Sequence, residues 1–218
     1  MPEIHDPNGG PAMAAPQAVD WLNASEYLAS EERREAETFL NFHFAVEFRT
    51  SGSAPVFEAG WGTANGLSPD GTMMAASNRF TTRIVDRAGG MVLDGVPGEF
   101  HTWSADGRFI LTNSFSSSCG PALVVTRISS GQQVACSPAG PSSGGTFSPD
   151  SVHVAFTQSR WLVTPAPGSA TPVTNDLVIT DLATGATRTV ATDMRGHLRC
   201  LTWSASSRYV VVGVCSGV

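Results

Sequence analysis

The residues best placed to do chemistry are three aspartates that recur at one point of one turn. They are Asp70 in Leu67-Ser68-Pro69-Asp70-Gly71, Asp106 in Trp103-Ser104-Ala105-Asp106-Gly107 and Asp150 in Phe147-Ser148-Pro149-Asp150-Ser151. Carboxylates beside serines suggest catalysis, but turn chemistry explains them first. An Asp side chain accepts hydrogen bonds from its own backbone two residues on, Pro presets φ and Gly supplies a positive φ. Asp86 and Asp181 each precede a Gly-containing turn and take the same role. The histidines His5, His43, His101, His153 and His197 fall at different points of the pattern, and no two have metal-ligand spacing on one strand. The serine runs Ser114–Ser118 and Ser142–Ser143 lie in no Gly-x-Ser-x-Gly elbow. Gly9-Gly10, Gly89-Gly90 and Gly144-Gly145 open no helix, so they do not cradle phosphate. The expectation is therefore no catalytic residue, no metal and no cofactor.

The elements that position these residues are repeated. Five turns open on a large apolar residue: Trp21, Leu67, Trp103, Phe147 and Trp203, spaced 46, 36, 44 and 56 residues apart. Six residues after each stand Tyr27, Met73, Phe109, His153 and Tyr209. A period of a few tens of residues signals a repeat architecture. A second motif alternates with the first. Ile84 to Gly90 and Ile179 to Gly185 share a branched residue, Asp two later and Gly four after that. Val125 to Gly131, with Arg127 at the Asp position, keeps the spacing, as do Val46 to Gly52 with Phe48, and Ile4 to Gly10. Each reads as a strand entering a Gly turn. One unit is thus four short strands, a to d, with the Ser-x-Asp turn between a and b and the Gly turn between c and d.

Four antiparallel strands per unit of about 40–45 residues describe a β-propeller blade. The motifs resemble those of the WD-repeat and TolB-like propeller families. Leu177 to Gly185 looks like strand c and its turn, and Gly196-His197 before Leu201-Thr202-Trp203-Ser204 looks like the lead-in to the next blade. No Trp-Asp dipeptide ends any strand c, which tilts the resemblance toward the TolB-like type. The fold class implied is all-β, a propeller of about five blade-equivalents.

The pattern divides the chain into a c–d hairpin at residues 1–14, blades at about 18–60, 61–97, 98–138 and 144–193, and a final a–b pair at 197–218. The terminal pieces are complementary halves of one blade. The whole reads either as a closed five-bladed ring, with strand b near Val210–Val214 meeting residues near Ile4, or as an open part of a larger propeller. Two segments break the β pattern. Glu31-Glu32-Arg33-Arg34-Glu35-Ala36-Glu37 are helix formers of mixed charge, predicting a short helix between strands b and c of the first blade. Ser159 to Asn175, with Pro165, Pro167 and Pro172, predicts an insertion between b and c of the fourth.

Composition excludes several functions. Only 15% of residues are charged, against about a quarter in typical domains. All 13 basic residues are arginine, scattered along a chain of net charge −6. No basic face forms, which argues against nucleic-acid binding. No apolar stretch is long enough for a membrane-inserting helix. The residues present show no signal peptide, so the default expectation for location is cytoplasmic. Cys119, Cys136, Cys200 and Cys215 lack Cys-x-x-Cys spacing and so do not suggest zinc. Cys119 and Cys136 fall at the same end of one blade; the alternatives are a disulfide there or four free thiols.

In a four-stranded meander the b–c and d–a connections share one face. Both irregular segments, 31–41 and 159–175, are b–c connections, and insertions in repeat proteins often mark the binding face. Arg160 and Trp161 are the candidate binding residues, because Trp and Arg anchor interfaces; alternatively, Trp161 packs on the blade edge. The expected function is a non-catalytic scaffold binding a protein or peptide partner. The alternatives are an accessory propeller of a larger enzyme, such as a serine peptidase, or a hydrolase or lyase acting at the central channel.

Overall fold

The computed structural model describes residues 17–21, 26–34, 42–50, 57–58, 63–78, 80–138, 142–161, 173–195 and 198–214. Every regular element in it is a strand. The first sheet comprises β1 (Gln17–Trp21), β2 (Glu26–Arg34), β3 (Phe42–Thr50) and β4 (Phe57–Glu58). The second holds β5 (Thr63–Leu67), β6 (Met73–Ser77), β7 (Thr81–Asp86) and β8 (Met91–Pro97). Next come β9 (Glu99–Trp103), β10 (Phe109–Ser117), β11 (Gly120–Arg127) and β12 (Gln133–Cys136). The fourth sheet contains β13 (Ser142–Phe147), β14 (His153–Trp161), β15 (Val173–Asp181) and β16 (Thr187–Arg195). A two-stranded sheet of β17 (Leu198–Trp203) and β18 (Val210–Val214) follows. All four complete sheets are antiparallel meanders in chain order, as a propeller blade requires.

The blades pack face to face, and the core lies between them. Ala75, Ile84 and Val96 of the second blade bury against Trp103, Ile110 and Ile128 of the third. Phe109, Leu111, Leu123 and Val125 of the third meet Phe147, Val154, Phe156 and Leu182 of the fourth. Leu177 and Ile179 of the fourth pack on Leu201, Trp203, Val210 and Val212 of the fifth sheet. Fully burying one such side chain contributes about 1.5–3 kcal/mol. The middle strands supply most of these layers, while the fourth strands β8 and β12 are largely exposed or only partly buried.

Two expectations are corrected. No helix interrupts the first blade at 31–34: β2 runs through Arg34, with Glu31 opposite Ala45 and Arg34 opposite Phe42. The alternating Phe42, Phe44, Val46 and Phe48 make a strong strand, and along residues 42–46 its antiparallel partner is the segment 30–34, a pairing that overrides local helix propensity. Nor does the blade pattern break at Ser159. β14 and β15 stay paired to Arg160 opposite Thr174 and Trp161 opposite Val173. Residues 35–41 and 162–172 lie outside the described residues, as do the hairpin expected at 1–14 and the closing contact expected near Ile4. Among the described residues, β18 pairs with β17.

Candidate functional site

The turn aspartates are structural. In the second blade, Ser68 Oγ donates to Asp70 Oδ1 at 2.6 Å and accepts the N–H of Met73 at 2.9 Å, while Asp70 Oδ1 accepts Thr72 N–H at 3.0 Å. The third blade repeats this with Ser104, Asp106, Phe109 and Arg108. The fourth repeats it with Ser148, Asp150, His153 and Val152. In the fifth sheet Ser206 replaces the aspartate, and Ser204 Oγ still accepts Tyr209 N–H at 3.1 Å. The hydrogen bond from Ser68 holds the Asp70 carboxyl below the usual range, and that from Ser148 does the same for Asp150. For Asp106, burial pushes the other way, but hydrogen bonds from Arg108 and Ser104 outweigh it. Asp86 Oδ1 accepts from Ala88 and Gly90, and Asp181 Oδ1 from Ala183 and Thr184. The Thr184 bonds lower Asp181 as well.

From the second blade to the fifth sheet, the first strands of neighbouring blades are bonded to one another. Trp103 Nε1 donates to the Gly66 carbonyl of the blade before at 3.3 Å, and Trp203 Nε1 to Thr146 at 3.1 Å. Gly66 and Thr146 each stand one residue before their own blade's opening residue, so the two bonds are equivalent. His101 of β9 donates through Nε2 to the Gly145 carbonyl of β13 at 3.1 Å. Among the described residues no three His, Cys, Asp or Glu side chains group to hold a metal ion, and no helix is long and apolar enough to cross a membrane.

The b–c face differs in character. Phe80, in the b–c turn of the second blade, is 70% exposed, and Phe115, near the end of β10 in the third, is 65% exposed. Gly98 brings their segments together: its N–H donates to Phe80 O at 2.7 Å. Its φ is +97°, and a Cβ there would stand 2.5 Å from Asn113 O. Only glycine fits that junction. In the third blade, Cys119 and Cys136 are joined in a disulfide, with Cα atoms 6.5 Å apart, which settles the choice left open by the sequence for this pair. Gln133 Nε2 donates to both sulfurs, at 2.9 and 2.6 Å. The bridge ties the tip of the β10–β11 hairpin to β12.

Arg160 and Trp161 stand at the far end of β14 on this same face. The structure describes their backbone pairing and not their side chains. Sequence reasoning missed Phe80 and Phe115, although both carried a signal. Phe80 follows the Asn78 turn, and Phe115 is the sole apolar residue between Ser114 and Ser118.

No known protein family and no curated protein matches the chain. Its structure is similar to the β-propeller domain of the Trilobed protease from Pyrococcus furiosus, a domain described as having an open velcro topology. That likeness has a TM-score of 0.53 at 12% identity, over 85% of this chain and 58% of that one. An oligogalacturonate lyase in complex with manganese gives 0.55 at 11% identity, over 87% and 59%. A putative TolB from Agrobacterium tumefaciens gives 0.46 at 19%, over 88% and 72%. The chain thus spans less than two thirds of the length of the first two. The first two likenesses, with the sheet order, show the fold: an all-β propeller of four-stranded antiparallel blades.

Proposed function

We propose that this chain is a binding propeller, of the TolB-like rather than the WD-repeat type, that docks a protein or peptide partner on its b–c face. The blade type is supported by the strand c endings Val85-Asp86, Thr126-Arg127 and Thr180-Asp181, none of which carries Trp-Asp. The binding reading rests on one observation. Two large aromatic side chains, Phe80 and Phe115, stand out from adjacent blades of the same face, beside a disulfide-fixed hairpin. Exposed aromatics on a rigid frame lose little entropy when a partner covers them, and such residues dominate interface energetics.

The enzymatic alternatives find less support in the side chains. His101 is engaged by the Gly145 carbonyl, and the turn aspartates are each engaged through Oδ1 by their own turns.

The test is capture of a partner by the intact protein, compared with the double variant F80S/F115S. Truncating two hot-spot aromatics should weaken binding by roughly 30-fold or more. A change on the opposite face and outside any groove, A88R in the exposed c–d turn of the second blade, should leave binding intact. Capture that survives F80S/F115S and is lost in A88R would put the site on the opposite face.

A further inference from the structure

The c–d turn of the third blade departs from its neighbours. Where the second and fourth blades place Asp86 and Asp181 to cap the turn, the third places Arg127. That turn closes without the side chain: Gly131 N–H donates to Arg127 O at 2.9 Å, and Ser130 Oγ accepts from Gln132 N–H at 3.3 Å.

The freed guanidinium lies 5.5 Å from the centroid of the Phe109 ring. Its Nε is buried and has no hydrogen-bond acceptor. Among the described residues no carboxylate pairs with it. A partly desolvated cation without a counter-charge is costly to keep.

Beside it runs a groove of about 500 Å³ between the third and fourth blades, on the face that carries the a–b turns. Phe109, Ile128, Val152 and Leu182 form its apolar surface, and Arg108 and Ser129 add polar groups. Arg108 also approaches the Phe109 ring, at 5.7 Å, but its Nε is held by the Asp106 carboxylate at 2.5 Å. Asp181, nearby, is occupied by turn amides, and its second oxygen lies 3.9 Å from His153. One positive charge therefore remains unanswered beside an apolar wall. The volume falls within the range of small-molecule sites, about 300–1,000 Å³.

We propose that this groove binds a monoanionic carboxylate carrying an aromatic or other apolar body, with Arg127 holding the anion. A guanidinium fork suits a carboxylate in two-point contact. The apolar wall disfavours a strongly hydrated inorganic dianion. The carboxylate comes either from a free arylcarboxylic acid or from the C-terminus of a peptide ending in an aromatic residue. The site is separate from the b–c face and does not depend on it.

Calorimetric titration of the full chain tests this with phenylacetate, a peptide ending in free Phe, the same peptide amidated, and inorganic phosphate. Saturable binding of phenylacetate or of the free-acid peptide, below about 1 mM, is expected, and which of the two binds identifies the source. The R127M variant, checked for folding by circular dichroism, should weaken it about tenfold or more. S129D, which keeps Arg127 but offers an internal carboxylate, should also weaken it. The proposal is overturned if neither carboxylate binds, if the amidated peptide or phosphate binds as well, or if S129D and a folded R127M bind as the wild type does.

Discussion

The hydroxyl of Ser151 accepts the backbone N–H of Asp106 at 3.1 Å, joining the a–b turns of the third and fourth blades. Ser207 does the same for Asp150, also at 3.1 Å. Both serines occupy the left-handed region, at φ 56°, where the earlier turns carry Gly71 and Gly107 at φ 68° and 69°. A side chain there costs about 1 kcal/mol. The bond to the next turn offsets that cost, which is why serine is tolerated at a glycine position.

That balance predicts opposite outcomes for two small substitutions. Ser151→Ala keeps the strained φ and removes the bond, and should destabilise by about 1–2 kcal/mol. Ser151→Gly removes the bond but relieves the strain, and should stay within roughly 0.5 kcal/mol of the wild type. Urea denaturation measures both. Equal losses would mean that the positive φ carries no strain, and a Ser151→Ala loss near zero would mean that the hydroxyl contributes nothing across the blades.

The two indole bonds should differ in weight. Trp103 is buried between complete blades, so Trp103→Ala should cost about 3–5 kcal/mol. Trp203 is half-buried, stacked on His153 with centroids 6.2 Å apart, and its truncation should cost less, about 1–3 kcal/mol. Trp103→Phe, which keeps a ring but loses the donor to Gly66, should fall between wild type and Trp103→Ala. If Trp203→Ala proved the costlier of the two alanine variants, the assignment of Trp103 to the core would fail.

Acid should weaken the turns in a defined window. Asp70, Asp106 and Asp150 have carboxyls lowered from 3.8 by their turn hydrogen bonds. A lowered carboxyl contributes stability that is fully present above its unfolded value and is lost as pH falls through the folded one. The melting temperature should therefore be flat down to about pH 4–5 and fall below that. In D70N/D150N the fall should be shallower, since an amide has no such titration. An identical slope in that variant would remove these two carboxylates from the acid response.

Gly145 and Gly144 make a matched pair. A Cβ at Gly145 would meet Leu111 at 2.9 Å and Leu123 at 3.0 Å across the blade interface, whereas one at Gly144 finds Thr157 at 3.8 Å. Gly145→Ala should cost about 1–3 kcal/mol by overpacking, and Gly144→Ala should be close to neutral. Thermal melts of the two variants decide it, and equal behaviour would contradict the close approach of these blades.

The two glycines also show how far the sequence can be read. The repeat, the strand order and the role of the turn aspartates are local, carried by Ser-x-Asp spacing and apolar residues six apart, and the structure has them in those places. The need for Gly145 depends on Leu111 and Leu123 of another blade, which no local pattern carries. The charged run at 31–34 misled for a related reason: its conformation is set by pairing with β3, not by its own helix propensity. Arg127 was visible as a departure from the repeat. Its missing counter-charge shows only once Phe109 and the groove are in place.

The Cys119–Cys136 bridge links stability to the proposed binding face. It closes a loop with a sequence separation of 17, so its loss should cost roughly 2–4 kcal/mol. C119S/C136S should lower the urea midpoint and leave the blade core intact, because neither sulfur belongs to the inter-blade clusters. The local effect should be larger than the global one. Hydrogen exchange at Ser117, Ser118 and Gly120 should accelerate more than at Leu111 or Val125, which lie in the buried ladder. Partner capture should fall with it, since Phe115 leads into that hairpin tip. Persistent disulfides belong to oxidising surroundings, so the protein taken from its native compartment and trapped with iodoacetamide should show Cys119 and Cys136 unlabelled. Full labelling of both, with unchanged capture by the double serine variant, would remove the bridge from any part in binding.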